Sequence, residues 1–459
     1  MKTVRNVKLV IIVLMTISMG FSFPLQVLWR NANLALTQYF FLLILYLIES
    51  NRLKIKKEWH QSSLLISMIY IYIILLIFNS VWQTAFGFVK ISEIGSILVN
   101  FAFPLFYFYY FNKLASDAEI RALLMTMILI GLVHGAFFAY DSYSLLVLHE
   151  KTEYSDQAYM YSQMRVTEVS ERASVGYRSQ GMLESHAITS GWIALSCFAS
   201  LALIPYSRTG LRILSILVFG TMLLAGLNYT AIFCFTIIIL LIECNFYTIF
   251  AGDLSWRLIR YIAIVVTVVV FFPVVLGSVI DELFDESFYD TLLDLTETQL
   301  SFIAGEKEYS SSYTNTDTYF GGLLLGLLAF PINTIEYPLS LLFGDGFGSY
   351  GVIKGGDYGC VETLHRFGLP FYVAIQYGLF RMIYHAVRQC YVECRINPWS
   401  NPWLWFATAS IFYILLTESH YSIWISKSIL PIFFLSLALY NRHLNVPKLR
   451  WQTKKGFSS

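Results

Sequence analysis

Residues 122–140 read ALLMTMILIGLVHGAFFAY, and no Asp, Glu, Lys or Arg interrupts the run. At about 1.5 Å per residue, a helix of this length crosses the roughly 30 Å hydrocarbon core of a bilayer. Within that core only a helix satisfies every backbone N–H and C=O of a single segment, so the run reads as a transmembrane span. Charge stands at both ends, with Arg121 before it and Asp141 after it. The whole chain of 459 residues has this character: 57% hydrophobic and 13% charged. Soluble domains carry about 25% charged residues. The composition therefore argues against a soluble enzyme, and against a disordered or nucleic-acid-binding chain, both of which need charge. The totals of 31 basic and 30 acidic residues are uninformative about partners. Their confinement to short intervals is the informative feature.

Working outward, the apolar runs predict an all-α polytopic membrane protein of about 12 transmembrane helices. They lie at roughly 9–24, 33–49, 62–79, 94–111, 122–140, 187–205, 212–227, 229–246, 261–280, 367–386, 403–417 and 423–440. The turn around Gly226-Leu-Asn-Tyr-Thr230 is so short that the count stays open between twelve and eleven. Lys2, Arg5 and Lys8 ahead of the first run resemble a signal peptide, but no small-x-small cleavage site follows, so a retained first helix is expected. Cytoplasmic termini place 21 of the 31 basic residues inside, including the run RLKIKK at 52–57, as the positive-inside rule requires. The six cysteines show neither a pairing framework nor C-x-x-C, and read as packing and surface thiols.

One integral membrane domain, 1–459, is thus expected to carry two long outer loops, 141–185 and 281–366. The second holds fourteen of the thirty acids. Its start places Phe284, Phe288, Leu292 and Leu295 on one helical face, which suits a helix lying on the outer membrane surface. Phe320–Phe343 is apolar but broken by Gly321, Gly322, Gly326, Pro331 and Pro338, and suits re-entrant or surface helices. No internal repeat is visible.

The loops also hold the candidate chemistry. Arg165, Arg172 and Arg178 stand just ahead of a span, where guanidinium groups stay charged and suit bidentate binding of phosphate oxygens. Pairing with Glu168, Glu171 and Glu184 is the plainer reading, most of all for Arg165 and Arg172. Arg178 precedes Gly181, whose missing side chain lets backbone approach a ligand. In the second loop, His365 and Arg366 stand at the mouth of the next span, either anchoring it among headgroups or binding a lipid-linked diphosphate opposite Arg178. Glu184, His186, His365, Glu418 and His420 are the possible outer-face bases. The G-D-G-F-G stretch lacks the strand–turn–helix context of a dinucleotide site. There is no D-x-D, P-loop, G-x-S-x-G or H-E-x-x-H, so no metal site is expected.

Taken together, the spans, the arginine-rich outer loops and the dominant second loop resemble the O-antigen polymerase and O-antigen ligase superfamily. Two stretches carry the resemblance. RSQGMLESHAITSG, residues 178–191, looks like the family's Arg-x-x-Gly element before a span. LFGDGFG at 342–348, followed by GDYGCVETLHRFGLP at 356–370, looks like the polymerase's glycine-rich element. Asp357-Tyr-Gly359 stands where ligases tend to show a histidine, an apolar run and paired glycines, so the polymerase branch is the more similar; His365 keeps the ligase open. The resemblance implies a transferase at the periplasmic face of the bacterial inner membrane. It would move a growing glycan from undecaprenyl diphosphate to the non-reducing-end hydroxyl of another lipid-linked repeat, without metal or other cofactor. Arg178, Arg366, Arg172 and Arg165 would bind the diphosphate, and Glu184, His365 and His420 would be the catalytic candidates. The implied partners are undecaprenyl-diphosphate-linked oligosaccharide repeats, membrane lipid and a polysaccharide chain-length regulator. A lipid-linked oligosaccharide flippase or other transporter is the alternative from a different class. It fits less well, because few charges sit mid-span and no such long outer loop is needed.

Overall fold

The computed structural model of the chain describes residues 2–30, 34, 36–53, 69–74, 76–78, 81, 98–146, 148, 150, 152–163, 179, 181–183, 185–205, 207–226, 228–243, 309–311, 314–316, 339–344, 359–394, 401–418 and 426–444. These residues are mostly helical. Helices α1 (Lys2–Gly20), α2 (Ser22–Trp29) and α3 (Thr37–Leu53) come first. The expected run 94–111 is split at Pro104 into a π turn (Leu98–Ala102) and α4 (Leu105–Tyr109), followed by a second π turn (Tyr110–Leu114). Pro104 has no N–H to carry a helix through. Then come α5 (Asp117–Leu146), α6 (Glu153–Gln163), α7 (His186–Leu203), α8 (Thr209–Ala225) and α9 (Tyr229–Ile238). The last group is α10 (Gly359–Phe367), α11 (Leu369–Cys394), α12 (Pro402–Thr417) and α13 (Leu430–Leu444). Among the described residues the strands are one hairpin of three residues a side, Tyr309–Ser311 with Thr314–Thr316.

Several boundaries differ from the expected ones for local reasons. The short turn at Gly226 separates two distinct helices. A Cβ there would run into the ring of Phe138, and Asn228 caps α9 by accepting the Ala231 N–H at 3.1 Å. The last helix starts at Leu430 rather than 423, with Pro431 in its first turn, where a missing N–H does no harm. Helix α5 runs past Asp141 to Leu146, and the loop after it holds α6, so Asp141 sits on a helix rather than opening a loop. The expected span 261–280, the surface helix from 281 and residues 320–338 of the 320–343 stretch lie outside the described residues.

Among the described residues, three helices are long and apolar enough to cross a membrane by length and composition: Thr3–Gly20, Asp117–Leu145 and His186–Leu203. The outward faces of α1 and α5 carry exposed apolar side chains, whereas α7 is buried along nearly its whole length. Along α1, Val4, Val7, Val10, Leu14 and Ile17 are exposed, while Ile11, Ile12, Met15 and Met19 are buried. Small residues let these helices meet closely. Gly131 of α5 lies against Ser196 of α7, whose hydroxyl donates to the Met127 carbonyl at 2.8 Å. His134 bonds the Gly20 carbonyl at 3.1 Å and packs edge-on to Trp192.

Side-chain contacts give the direction of each helix. At one end, Lys8 at the start of α1 meets Glu49 near the end of α3 and Glu119 at the start of α5. Arg442 at the end of α13 pairs with Asp117 at 3.2 Å. Arg212 at the start of α8 donates to the carbonyls of Leu201 and Ile204 at the end of α7, and lies over the Trp405 ring at the start of α12. Tyr440 reaches Met382 in the second half of α11. The other end therefore gathers the end of α5, the starts of α7, α9 and α11, and the end of α12. Both chain-terminal helices have their outer ends, at Lys2 and Leu444, on the Lys8 side of the bundle.

The Lys8 cluster is a buried polar network that the run-by-run reading did not find. The ammonium lies 2.5 Å from Glu49 Oε1 and 2.6 Å from Glu119 Oε1. Tyr110 donates to Glu119 Oε2 at 2.8 Å and Ser116 to Oε1 at 2.9 Å. All three charged side chains are at most 7% exposed.

Candidate functional site

The Asp141 end of the bundle collects the described parts of two sequence elements singled out above, 178–191 and 342–370. Asp141 is 4% exposed near the end of α5. Its Oδ1 accepts hydrogen bonds from the hydroxyls of Thr152 at 2.5 Å and Ser155 at 2.7 Å, both at the start of α6. Its Oδ2 accepts one from Ser179 at 2.5 Å. Ser179 Oγ in turn accepts the Gly181 N–H at 2.9 Å. Gly181 has φ +68°, and a Cβ there would lie 2.6 Å from the Thr189 methyl on the first turn of α7. Only glycine adopts that backbone without strain. Thr189 Oγ1 takes the Leu183 N–H, Tyr154 of α6 donates to the Met182 carbonyl, and Ser185 caps α7 at Ile188 N. Burial and the nearby Asp141 carboxylate both push the Tyr154 phenol up, so it keeps its proton and acts as the donor. The residues that follow Arg178 are thereby pinned to three helices.

The second constellation is the corner of α10, α11 and α12. Glu418, the residue after α12, is 4% exposed. It accepts from the Thr363 hydroxyl of α10 at 2.9 Å and from the Gln376 amide of α11. Between α10 and α11 the chain turns at Gly368, with φ +80°. The short helical turn Ser340–Phe343 leads to Gly344, with φ +73°, the first glycine of the G-D-G-F-G stretch. A Cβ on Gly344 would collide with the Arg366 carbonyl, and one on Gly368 would lie 2.6 Å from the Leu342 carbonyl. The two halves of the second motif thus meet backbone to backbone. Gly368→Ala is expected to destabilise the fold by at least about 2 kcal/mol, from left-handed strain plus displaced backbone. The reading is a lower unfolding temperature in detergent; an unchanged temperature would show that the contact is dispensable.

Of the residues nominated for diphosphate binding and catalysis, His365 and Arg366 are described, as are His186 and Glu418 among the further possible bases. Arg165, Arg172, Arg178, Glu184 and His420 lie outside the described residues. His365 is 3% exposed, which does not fit a side chain anchored among headgroups. Arg366 pairs with Glu362 one turn earlier, Nη2 to Oε1 at 2.6 Å and Nε to Oε1 at 3.1 Å. Successive helical residues point about 100° apart, so the two do not form one His–Arg surface: the imidazole is packed inward and the guanidinium stays partly exposed. Burial raises the pKa of the Cys360 thiol in the same helix, which argues against a thiolate nucleophile there. Among the described residues no group of three or more His, Cys, Asp or Glu side chains converges on a point that could hold a metal ion.

Asp141 escaped the sequence reading because a single Asp after an apolar run has no local signature; its partners come from two other segments. Glu418 was visible as a possible base, but its burial against Thr363 and Gln376 was not. What the arrangement offers chemically is two buried carboxylates, each holding one motif element at the same end of the bundle. No family model matches the chain, and neither does any curated protein or solved structure.

Proposed function

We propose that this chain is a surface-polysaccharide polymerase of the O-antigen type, working on undecaprenyl-diphosphate-linked repeats at the outer face of a bacterial inner membrane. The observation that carries the reading is the gathering of the described parts of the 178–191 and 342–370 elements at one end of an apolar helical bundle. Arg178 and Arg366 bind the donor's diphosphate. The acceptor hydroxyl attacks the anomeric carbon, the bond from that carbon to the diphosphate oxygen breaks, and the diphosphate leaves with the bonding electrons. Guanidinium groups stabilise the negative charge as it develops. The acceptor's proton passes to a base. His365 is buried, so in this reading it supports the helix that carries Arg366, and the role of base falls to Glu184 or His420. The twelve-span topology, with the Asp141 end toward the periplasm and both termini in the cytoplasm, belongs to the same reading. It is supported by the alternation of helix direction and by the bias of basic residues. Alkaline phosphatase fused at Lys151 and Lys307 is expected to be active in whole cells, and well-expressed but silent fusions would reverse the orientation.

The decisive experiment uses purified full-length protein with lipid-linked repeats, chelator and no nucleotide. A ladder of longer lipid-linked products is expected. A strict requirement for metal or nucleotide would contradict the mechanism. Transfer of finished polymer onto a lipid core without lengthening would identify a ligase. Movement of single repeats between leaflets without lengthening would identify a flippase.

A further inference from the structure

We propose that His134 and Trp192 together bind one internal water molecule where the end of α1 meets α5 and α7. The site is independent of the polymerase reading. Pro24 sets the tautomer of His134. In an unbroken helix the Gly20 carbonyl accepts the N–H of residue 24. Residue 24 is proline and has none. The His134 imidazole takes its place, with Nε2 3.1 Å from the Gly20 oxygen. A carbonyl oxygen only accepts, so Nε2 carries the proton. Among the described residues no carboxylate pairs with this buried ring. An unpaired charge there would carry a heavy desolvation penalty, so the ring is neutral and Nδ1 is a bare lone pair.

That lone pair is an acceptor with no hydrogen-bond partner among the described residues, and the indole Nε1–H of Trp192 is a donor in the same condition. Both residues are 0% exposed. Folded interiors leave few such atoms unpaired. The two are of opposite kind and belong to neighbouring rings, whose centroids lie 5.9 Å apart at 67°. That separation is about twice an N···O hydrogen bond, so one heavy atom can reach both nitrogens. The occupant must donate to Nδ1 and accept from Nε1–H. An ammonium ion only donates and a halide only accepts, whereas water does both. Ordered water is also an established way of satisfying polar groups beside proline breaks in lipid-embedded helices. His134 is seven residues before Asp141 on α5, and Trp192 is three residues after Thr189 on α7. At about 1.5 Å per residue the water lies about 10 Å below the first and about 5 Å below the second. It therefore joins the α1 break, where Phe21 also packs on the imidazole, to the two helices that hold the 179–183 turn.

The test uses the full-length protein in detergent with indole-¹⁵N tryptophan. Of the ten tryptophan resonances, that of Trp192 is the one lost in Trp192→Phe. Its indole proton is expected to show a rotating-frame cross-peak to water with the sign of dipolar contact rather than of exchange. The cross-peak is expected to be lost in His134→Phe, which has no ring nitrogen. A wild-type resonance without the cross-peak, or a cross-peak that survives His134→Phe, would overturn the proposal. A wild-type structure fine enough to place waters decides the matter where a variant does not fold. Density within about 3.2 Å of both nitrogens is expected. Nδ1 and Nε1 bonded directly to each other, or both packed against carbon alone, would overturn the site.

Discussion

Arg366→Ala is expected to abolish polymer while the protein still inserts and folds, and Arg178→Ala to do the same. Arg366 is on α10, which Thr363 ties to Glu418 and Gly368 bends away from α11. Its pair with Glu362 is an i,i+4 pair with both side chains about a fifth exposed. Such pairs contribute only about 0.3–0.5 kcal/mol. A diphosphate, with more charge than one carboxylate, competes readily for the guanidinium. Removing one donor aimed at charge that develops in the transition state lowers kcat by about 10²–10³. Lysine should substitute poorly at either position, because an ammonium lacks the planar fork that binds two phosphate oxygens at once. Arg165→Ala and Arg172→Ala are expected to give partial losses. Product at near-normal levels from both Arg366→Ala and Arg178→Ala, at matched protein in the membrane, would remove the basis for the diphosphate site.

Lys8→Met is expected to be the most destabilising single change at the opposite end. It leaves Glu49 and Glu119 buried together without the ammonium that lies within 2.6 Å of both. Breaking a buried ion pair by removing one partner costs about 3–5 kcal/mol, since the remaining charge is stranded. Glu119 retains the Tyr110 and Ser116 bonds, so the penalty falls chiefly on bringing two carboxylates together. The double variant Lys8→Met/Glu49→Gln should therefore recover part of the loss, and Lys8→Arg should retain most of the stability. Unfolding temperatures in detergent report all three. A Lys8→Met protein as stable as the parent would show that the cluster is not the clamp between α1, α3 and α5 that its geometry describes.

The helical, membrane-suited character of the chain was legible in single runs of sequence. The run 122–140 can satisfy its backbone in lipid only as a helix, and this follows from composition within one segment. The arginines and histidines of the expected outer loops could be nominated by residue type, because guanidinium and imidazole groups are identified by the sequence itself. Which of them share a surface could not. Lys8 and Glu49 are 41 residues apart, Asp141 and Ser179 are 38 apart, and Thr363 and Glu418 are 55 apart. Such pairs have no periodicity to betray them; they form only when helices pack and leave a polar group with no water to turn to. Tertiary packing alone decided that His365 is buried, that Gly344 and Gly368 meet through their backbones, and that Asp141 accepts hydrogen bonds from three hydroxyls. Apolar runs are a property of neighbours along the chain, whereas a buried carboxylate's partners are a property of neighbours in space.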